Sequence, residues 1–316
     1  MSLIYNMTDF KGKDILSAKQ FSKEELEYIF KVASNMESIA KGEEKSDLLN
    51  NKYLATLFFE ASTRTRLSFE IAMLRLGGNI INSTGIPFSS IIKGETLHDT
   101  AKVVANFVDV IAIRHPEIGS AEQAARASDK PVINAGDGPG QHPTQALLDL
   151  YTIKKEKGRI DNLTIAMVGD LKFGRTIHSL AYLLAHYDVT IYFVSPEILK
   201  MPEDEKAFLK DQGIKYKETG NLISVLPELD VLYDTRIQQE RFKDLTEYER
   251  VKNCYIINKK LLGKAKKDIT IMHPLPRLEE ISAEVDSLSN AAYFRQSFYS
   301  VPIRMALLAL VLGKEI

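Results

Sequence analysis

Two arginines and three hydroxyls occupy five consecutive positions, Ser62-Thr63-Arg64-Thr65-Arg66. They follow the apolar run YLATLFF at residues 53–59 and precede a helical pattern through Leu67, Ile71 and Leu74 that stops at Gly77-Gly78. Where a strand gives way to a helix, unpaired backbone N–H groups and the positive end of the helix dipole face outward together. Hydroxyls and a guanidinium fork add donors suited to phosphate oxygens. Capping alone would explain one Ser or Thr before a helix, but not this density of donors. The segment reads as a phosphate site.

Four other segments have residue types that could do chemistry. His142-Pro143-Thr144-Gln145 follows the glycine-rich loop Gly136-Asp137-Gly138-Pro139-Gly140, and Pro143 suits the first turn of a helix. His142 and Gln145, three positions apart, then reach one small ligand from a helix start. Asp234-Thr235-Arg236-Ile237-Gln238 and His273-Pro274-Leu275-Pro276-Arg277 each follow a short apolar run. Arg236 with Gln238 suits a dicarboxylate, and the prolines leave carbonyl oxygens as acceptors for a ligand amide. Most charged loops are merely solvated, so neither segment decides anything alone. Residues 169–176 nearly match the nucleotide-binding pattern G-x-x-x-x-G-K-[ST], but Arg175 stands where the lysine belongs. There is no G-x-G-x-x-G and no G-x-S-x-G. Arg175 reads instead as a helix-start cation directed at a carboxylate.

The elements that must position these residues alternate between short apolar runs and amphipathic stretches. That pattern predicts an α/β protein of two domains, each a largely parallel sheet flanked by helices. Strands are expected at residues 53–59, 110–113, 131–134, 164–168, 190–194, 231–233, 255–257 and 269–272. Helices are expected at 96–107, after Ser120, from Pro143 through Leu150, at 175–186 and at 303–312. The chain's 316 residues fit two domains. The expected division is 1–142 with 292–316, a linking helix at 143–158, and 159–291.

Composition narrows the classes. A formal net charge of -1 argues against a nucleic-acid binder. No apolar run is long enough for a membrane span, and the first residues lack a signal pattern. Cys254 is the only cysteine, so an intrachain disulfide or a cysteine-built zinc site is excluded. The six histidines show no ligand spacing. No metal or cofactor is expected, and a cytoplasmic location fits.

Taken in order, the motifs resemble the aspartate carbamoyltransferase catalytic chains of the aspartate/ornithine carbamoyltransferase superfamily. The matching pieces are residues 58–70 (FFEASTRTRLSFE), 93–97 (KGETL), 114–116 (RHP), 134–138 (NAGDG), 142–145 (HPTQ), 167–171 (MVGDL), 174–176 (GRT), 235–236 (TR), 273–277 (HPLPR) and 306–310 (ALLAL). They span nearly the whole chain. The STRTR and H-P-x-Q elements are shared with ornithine enzymes, which typically carry His-Cys-Leu-Pro where this chain has His273-Pro274-Leu275-Pro276. A cation in the 235–238 loop suits a second carboxylate, whereas ornithine would require acceptors for an ammonium.

The resemblance implies transfer of a carbamoyl group from carbamoyl phosphate to the α-amine of L-aspartate, an early step of pyrimidine biosynthesis. It implies that Ser62, Thr63, Arg64, Thr65 and Arg114 hold the phosphate, and that Thr65, Arg114 and His142 polarise the carbonyl. Gln145 and the carbonyls of Pro274 and Leu275 would take the carbamoyl NH2, and Arg175, Arg236 and Gln238 the aspartate carboxylates. Ser89 and Lys93 would serve a neighbouring copy's site in a homotrimer, Lys93 contacting aspartate. Glu60 would bridge Arg175 and Arg241 on domain closure. The resemblance leaves room for a separate regulatory chain. Two departures stand out: Ser297-Phe298-Tyr299-Ser300 lacks a glycine found in some members, and Gln239 replaces a common lysine. The competing readings are an ornithine-type carbamoyltransferase, a non-catalytic phosphate-binding homologue and a P-loop NTPase.

Overall fold

The computed structural model describes residues 9–84 and 93–314. The chain divides into two compact units, Met1–Leu148 with Phe298–Ile316, and Asp149–Ser297.

The first unit carries strands β1 (Tyr53–Phe58), β2 (Asn79–Thr84), β3 (Val110–His115) and β4 (Val132–Asp137). Its helices are α1 (Lys23–Asn35), α2 (Glu37–Lys41), α3 (Thr63–Arg75), α4 (Leu97–Ala105) and α5 (Ser120–Ala127), followed by α6 (Pro143–Lys157), within which the unit boundary falls. All strand pairs are parallel, in the order β2-β1-β3-β4. Strands β1, β3 and β4 are buried almost throughout, because a parallel sheet covered on both faces offers no wet side. Ala55, Leu57, Ile111, Ile113 and Val132 form part of the core on one face. The chain leaves β1 to one side for β2, then crosses to the other side for β3. The strand order therefore reverses between β1 and β3, and the crevice outside their carboxyl ends is where such sheets bind ligands.

The second unit repeats the plan with β5 (Leu163–Gly169), β6 (Val189–Val194), β7 (Lys215–Thr219), β8 (Val231–Thr235) and β9 (Thr270–Met272). Its helices are α7 (Arg175–Leu184), α8 (Glu203–Asp211), α9 (Leu222–Val225), α10 (Leu245–Val251) and α11 (Lys259–Leu262), with the start of α12 (Tyr293–Val311). The order is β7-β6-β5-β8-β9, again parallel, so the reversal lies between β5 and β8. Val168, Val194, Leu232, Ile271 and Tyr293 belong to one continuous core.

Several local expectations need correction. Residues 255–257 form no strand; Ile257 makes only an isolated bridge to Ile281. Strands β2 and β7 were not expected, because both are polar edge strands without an apolar run to announce them. Helix α12 begins at Tyr293, ten residues before the expected 303, and carries Pro302 inside it. A proline removes one helical hydrogen bond and reads as a break, but here the helix runs through it.

Candidate active site

In the first unit the loop after β1 leads into α3 at the reversal point. Ser62 is the N-cap by backbone geometry, at φ −159°, yet among the described residues its side chain makes no capping bond. The capping explanation for this hydroxyl therefore fails, while the α3 N–H groups still need acceptors. Ser62 is half-buried, Thr63 and Arg64 are exposed, and Thr65 is buried. Partial burial pulls the Arg64 guanidinium down from its ordinary value. The first turn carries no acidic residue to repel an anion.

On the neighbouring strand β3, Arg114 pairs with Phe58 of β1 in register. The residue is only 8% exposed. Nη2 donates to Glu60 Oε1 at 3.1 Å and Nη1 to the Ala135 carbonyl at 3.3 Å. Arg114 thus reaches across the end of β1, fixed from both sides, at the same crevice as Ser62–Thr65.

His142 and Gln145 come from the end of β4. Asp137 ties down the intervening loop: Oδ1 accepts the Gln141 N–H at 2.7 Å and Oδ2 the Gly119 N–H at 3.1 Å. Gln141 Oε1 in turn accepts from Ser17 Oγ at 2.9 Å and Ala18 N at 2.7 Å. Gly138 sits at φ 51°, and a Cβ there would lie 2.1 Å from the Pro116 carbonyl oxygen, so only glycine fits. The His142 carbonyl accepts the Gln145 and Ala146 N–H groups and starts α6. His142 is buried and Gln145 half-buried. Lys93 is exposed just before α4, which Thr96 caps through the Asp99 N–H at 3.1 Å. Ser89 lies outside the described residues.

In the second unit, Arg175 is the first residue of α7, half-buried, after the loop from β5. That loop does not form a phosphate cradle. Asp170, fully buried, fills it: Oδ1 accepts the Phe173 N–H at 3.0 Å, and Oδ2 lies 3.4 Å from both the backbone and side-chain nitrogens of Gln238. Burial pushes the Asp170 carboxyl up, while the Phe173 and Gln238 donors pull it down. Gln238 Nε2 also donates to the Phe173 carbonyl at 3.2 Å. The loop after β8, which carries Arg236, therefore grips the loop after β5, which leads into Arg175. Gly169 permits the contact, since a Cβ there would lie 2.1 Å from the Thr235 oxygen.

Arg236 forks onto the Glu240 carboxylate, with Nη1 3.1 Å from Oε2 and Nη2 bonded to Oε1. That hydrogen bond raises the guanidinium and holds Glu240 below the usual carboxylate range. Arg241 donates its backbone N–H to the Gln238 carbonyl at 3.0 Å. After β9, His273 is 1% exposed, and its Nδ1 accepts the Leu275 N–H at 2.8 Å. The ring proton therefore sits on Nε2, 2.9 Å from Glu280 Oε1. Burial pulls the ring's pKa down, against the Glu280 carboxylate, which pushes it up. Burial opposes the Glu280 charge, but His273 and nearby N–H groups hold that carboxyl below its ordinary value. Leu275 adopts φ 53°, and Pro274 and Leu275 are both half-buried.

Motif reading missed the groups behind this turn. Gln296 Oε1 accepts the His273 N–H at 3.0 Å, and Gln296 Nε2 donates to Asp149 Oδ1 at 2.6 Å. Asp149 Oδ2 accepts the Tyr233 hydroxyl at 2.7 Å. The available signal was a polar residue, Asp149, amid the apolar run of α6, and Gln296 just ahead of another such run. Among the described residues no three His, Cys, Asp or Glu side chains cluster to hold a metal ion.

Two domain families match the chain in tandem. The carbamoyl-P binding domain of aspartate/ornithine carbamoyltransferases covers residues 13–155, and the Asp/Orn binding domain of the same enzymes covers residues 161–311. The chain belongs to the aspartate/ornithine carbamoyltransferase family. It is 54% identical over 305 residues to the aspartate carbamoyltransferase catalytic subunit of Thermococcus kodakarensis, covering 96% of this chain and 98% of that one. The crystal structure of aspartate transcarbamoylase from Trypanosoma cruzi with carbamoyl phosphate and aspartate superposes with a TM-score of 0.92 at 41% identity, covering 96% of this chain and 98% of that one. The catalytic subunit of the M. jannaschii enzyme matches with a TM-score of 0.88 at 50% identity, covering 95% and 98%.

Proposed function

We propose that this chain transfers the carbamoyl group of carbamoyl phosphate to the α-amine of L-aspartate, giving N-carbamoyl-L-aspartate and phosphate. What supports this choice of acceptor is the grip of Gln238 on Phe173, which joins the two loops that carry the cations Arg175 and Arg236. Two cations answer a dicarboxylate; an ornithine ammonium there would meet like charge.

In this reading Ser62, Thr63, Arg64, Thr65 and Arg114 hold the phosphate. Thr65, Arg114 and His142 polarise the carbonyl oxygen, and Gln145 with the carbonyls of Pro274 and Leu275 accepts the carbamoyl NH2. Arg175, Arg236 and Gln238 receive the aspartate carboxylates. The amine attacks the carbonyl carbon, a C–N bond forms, and the bond to the phosphate oxygen breaks. The departing phosphate takes up the proton that the amine releases. Each well-placed donor to the developing oxyanion contributes about 2.7–4 kcal/mol, and alignment of the two reactants supplies much of the rest.

The working form is a homotrimer in which Ser89 and Lys93 serve a neighbouring copy's site. Exposed Leu67, Ile71 and Leu74 on α3 and Ile81 on β2 support it, as an apolar patch that a second copy would cover. A cytoplasmic location and a place in pyrimidine biosynthesis go with the family.

Incubation with carbamoyl phosphate and each amine in turn tests the assignment. N-carbamoyl-aspartate should form, with no citrulline from ornithine; the reverse preference would overturn it.

A further inference from the structure

Arg304 heads the large, fully enclosed side chains among the described residues, at 1% exposure on α12. Its guanidinium lies over the Phe69 ring, 4.8 Å from the centroid. Nη2 donates to Thr144 Oγ1 at 3.3 Å, and Nη1 to the Ser300 carbonyl one turn back at 3.4 Å. Phe69 belongs to α3, whose first turn carries the anion-binding hydroxyls. Thr144, itself fully buried, lies on α6 between His142 and Gln145. One planar group therefore touches the two helices whose N-termini supply the two sets of donors.

Packing alone does not explain an arginine here. Burying a guanidinium is costly, and an apolar residue of similar volume often holds helices as well or better. What the guanidinium adds is direction: it stacks by its face and donates in its plane, so Phe69 and Thr144 fix its orientation together.

We propose that Arg304 is a positioning residue for carbamoyl transfer, setting the α6 start, with His142 and Gln145, against the phosphate-gripping start of α3. This rests on the site reading given under Proposed function.

The test uses the full chain with Arg304→Lys, Arg304→Met, Thr144→Val and the Arg304→Met/Thr144→Val double variant. Thr144→Val removes only a hydroxyl and leaves the arginine in place, so it reports even where Arg304→Met fails to fold. The expected kcat falls roughly 10- to 100-fold in Arg304→Met and about 10-fold in Thr144→Val, as for a small misplacement of reacting groups. The double variant should be no worse than Arg304→Met alone, because both act through one contact. Arg304→Lys, which keeps charge without the fork, should recover only part of the loss. Affinity for inorganic phosphate, measured by calorimetry, should stay within about twofold of the parent, since the α3 donors are untouched. A phosphate affinity that falls in step with kcat, or a Thr144→Val chain with full kcat, would overturn the proposal.

A readout free of turnover separates this proposal from the functional reading. In histidine-labelled protein, Thr144→Val and Arg304→Met should shift the His142 ring signals while His273 stays in place. An unmoved His142 signal would refute the positioning role whatever amine the enzyme uses. A parent chain that carbamoylates no amine would refute the functional reading alone.

Discussion

The ring of His273 accepts the backbone N–H of Leu275 at 2.8 Å and holds that residue at φ 53°, in the left-handed region. A non-glycine residue there costs on the order of 1–2 kcal/mol, so it persists only where its surroundings enforce it. The enforcing groups run back through Gln296 to Asp149 and Tyr233. If the Pro274 and Leu275 carbonyls receive the carbamoyl NH2, releasing this turn should damage turnover. His273→Ala is expected to lower kcat by about 10- to 100-fold with phosphate affinity unchanged. His273→Asn should recover part of it, because an Asn oxygen accepts an N–H two residues on. Steady-state kinetics beside phosphate titration checks this; equal losses in both would point to general unfolding instead.

Arg114 is gripped by Glu60 and the Ala135 carbonyl, so it is aimed before any ligand arrives. Arg114→Ala should lower kcat/KM for carbamoyl phosphate by roughly 10²–10³-fold, the scale of losing one oxyanion donor. The Glu60 side chain left behind is 33% exposed and can be hydrated, so the fold should survive. Circular dichroism and thermal melting would verify that. Normal turnover would sink the carbonyl-polarising role.

Asp234 lies at the end of β8 on the same face as the core residue Leu232, 1% exposed, and among the described residues neither carboxyl oxygen has a hydrogen-bond partner of good geometry. Burial pushes its pKa well above the ordinary 3.8, the Glu280 carboxylate adds to the rise, and only the Thr235 N–H opposes it. With the folded value raised, the native state is favoured below the unfolded value and loses that advantage as pH climbs through the folded one. Asp234→Val should therefore be more stable than the parent at pH 7, by about 1–3 kcal/mol. The gap should shrink as pH falls toward 3.8. Urea denaturation over a pH series reads it directly; a gap independent of pH, or a less stable variant, would contradict the assignment.

Lys93 is exposed and Arg114 buried. If Lys93 serves a neighbouring copy, mixing inactive Lys93→Ala and Arg114→Ala chains should regenerate some sites with both residues intact. Partial activity is expected in hybrids verified by mass spectrometry. No rescue in such hybrids would mean that each copy supplies its own Lys93.

Much of the fold was legible in the sequence because parallel sheets write their buried strands as apolar runs, and the candidate site residues fall where those runs end. Ser62–Thr65, Arg175 and Arg236 each stand just beyond such a run, at the carboxyl end of β1, β5 or β8. The edge strands β2 and β7 were illegible, being polar and paired on one side only. Tyr255–Ile257 misled for the opposite reason: Tyr255 and Ile257 are apolar because they pack on the core, not because they pair in a ladder. Pro302 hid the first half of α12. The hydrogen-bonded polar residues Asp149, Gln296 and Arg304, buried in the fold, carry no motif. Their partners are 147 residues apart for Gln296 and Asp149 and 160 for Arg304 and Thr144, a proximity that only the fold creates.

By the proposed function, one chain binds carbamoyl phosphate through Ser62–Thr65 and aspartate through Arg175 and Arg236. Calorimetric titration with N-(phosphonacetyl)-L-aspartate, which joins both substrates' anionic ends, tests it most directly. Binding should be far tighter than for phosphate or aspartate alone, and should weaken at least about 100-fold in both Arg64→Ala and Arg236→Ala. Binding no tighter than that of phosphate, or insensitive to Arg236, would contradict the account.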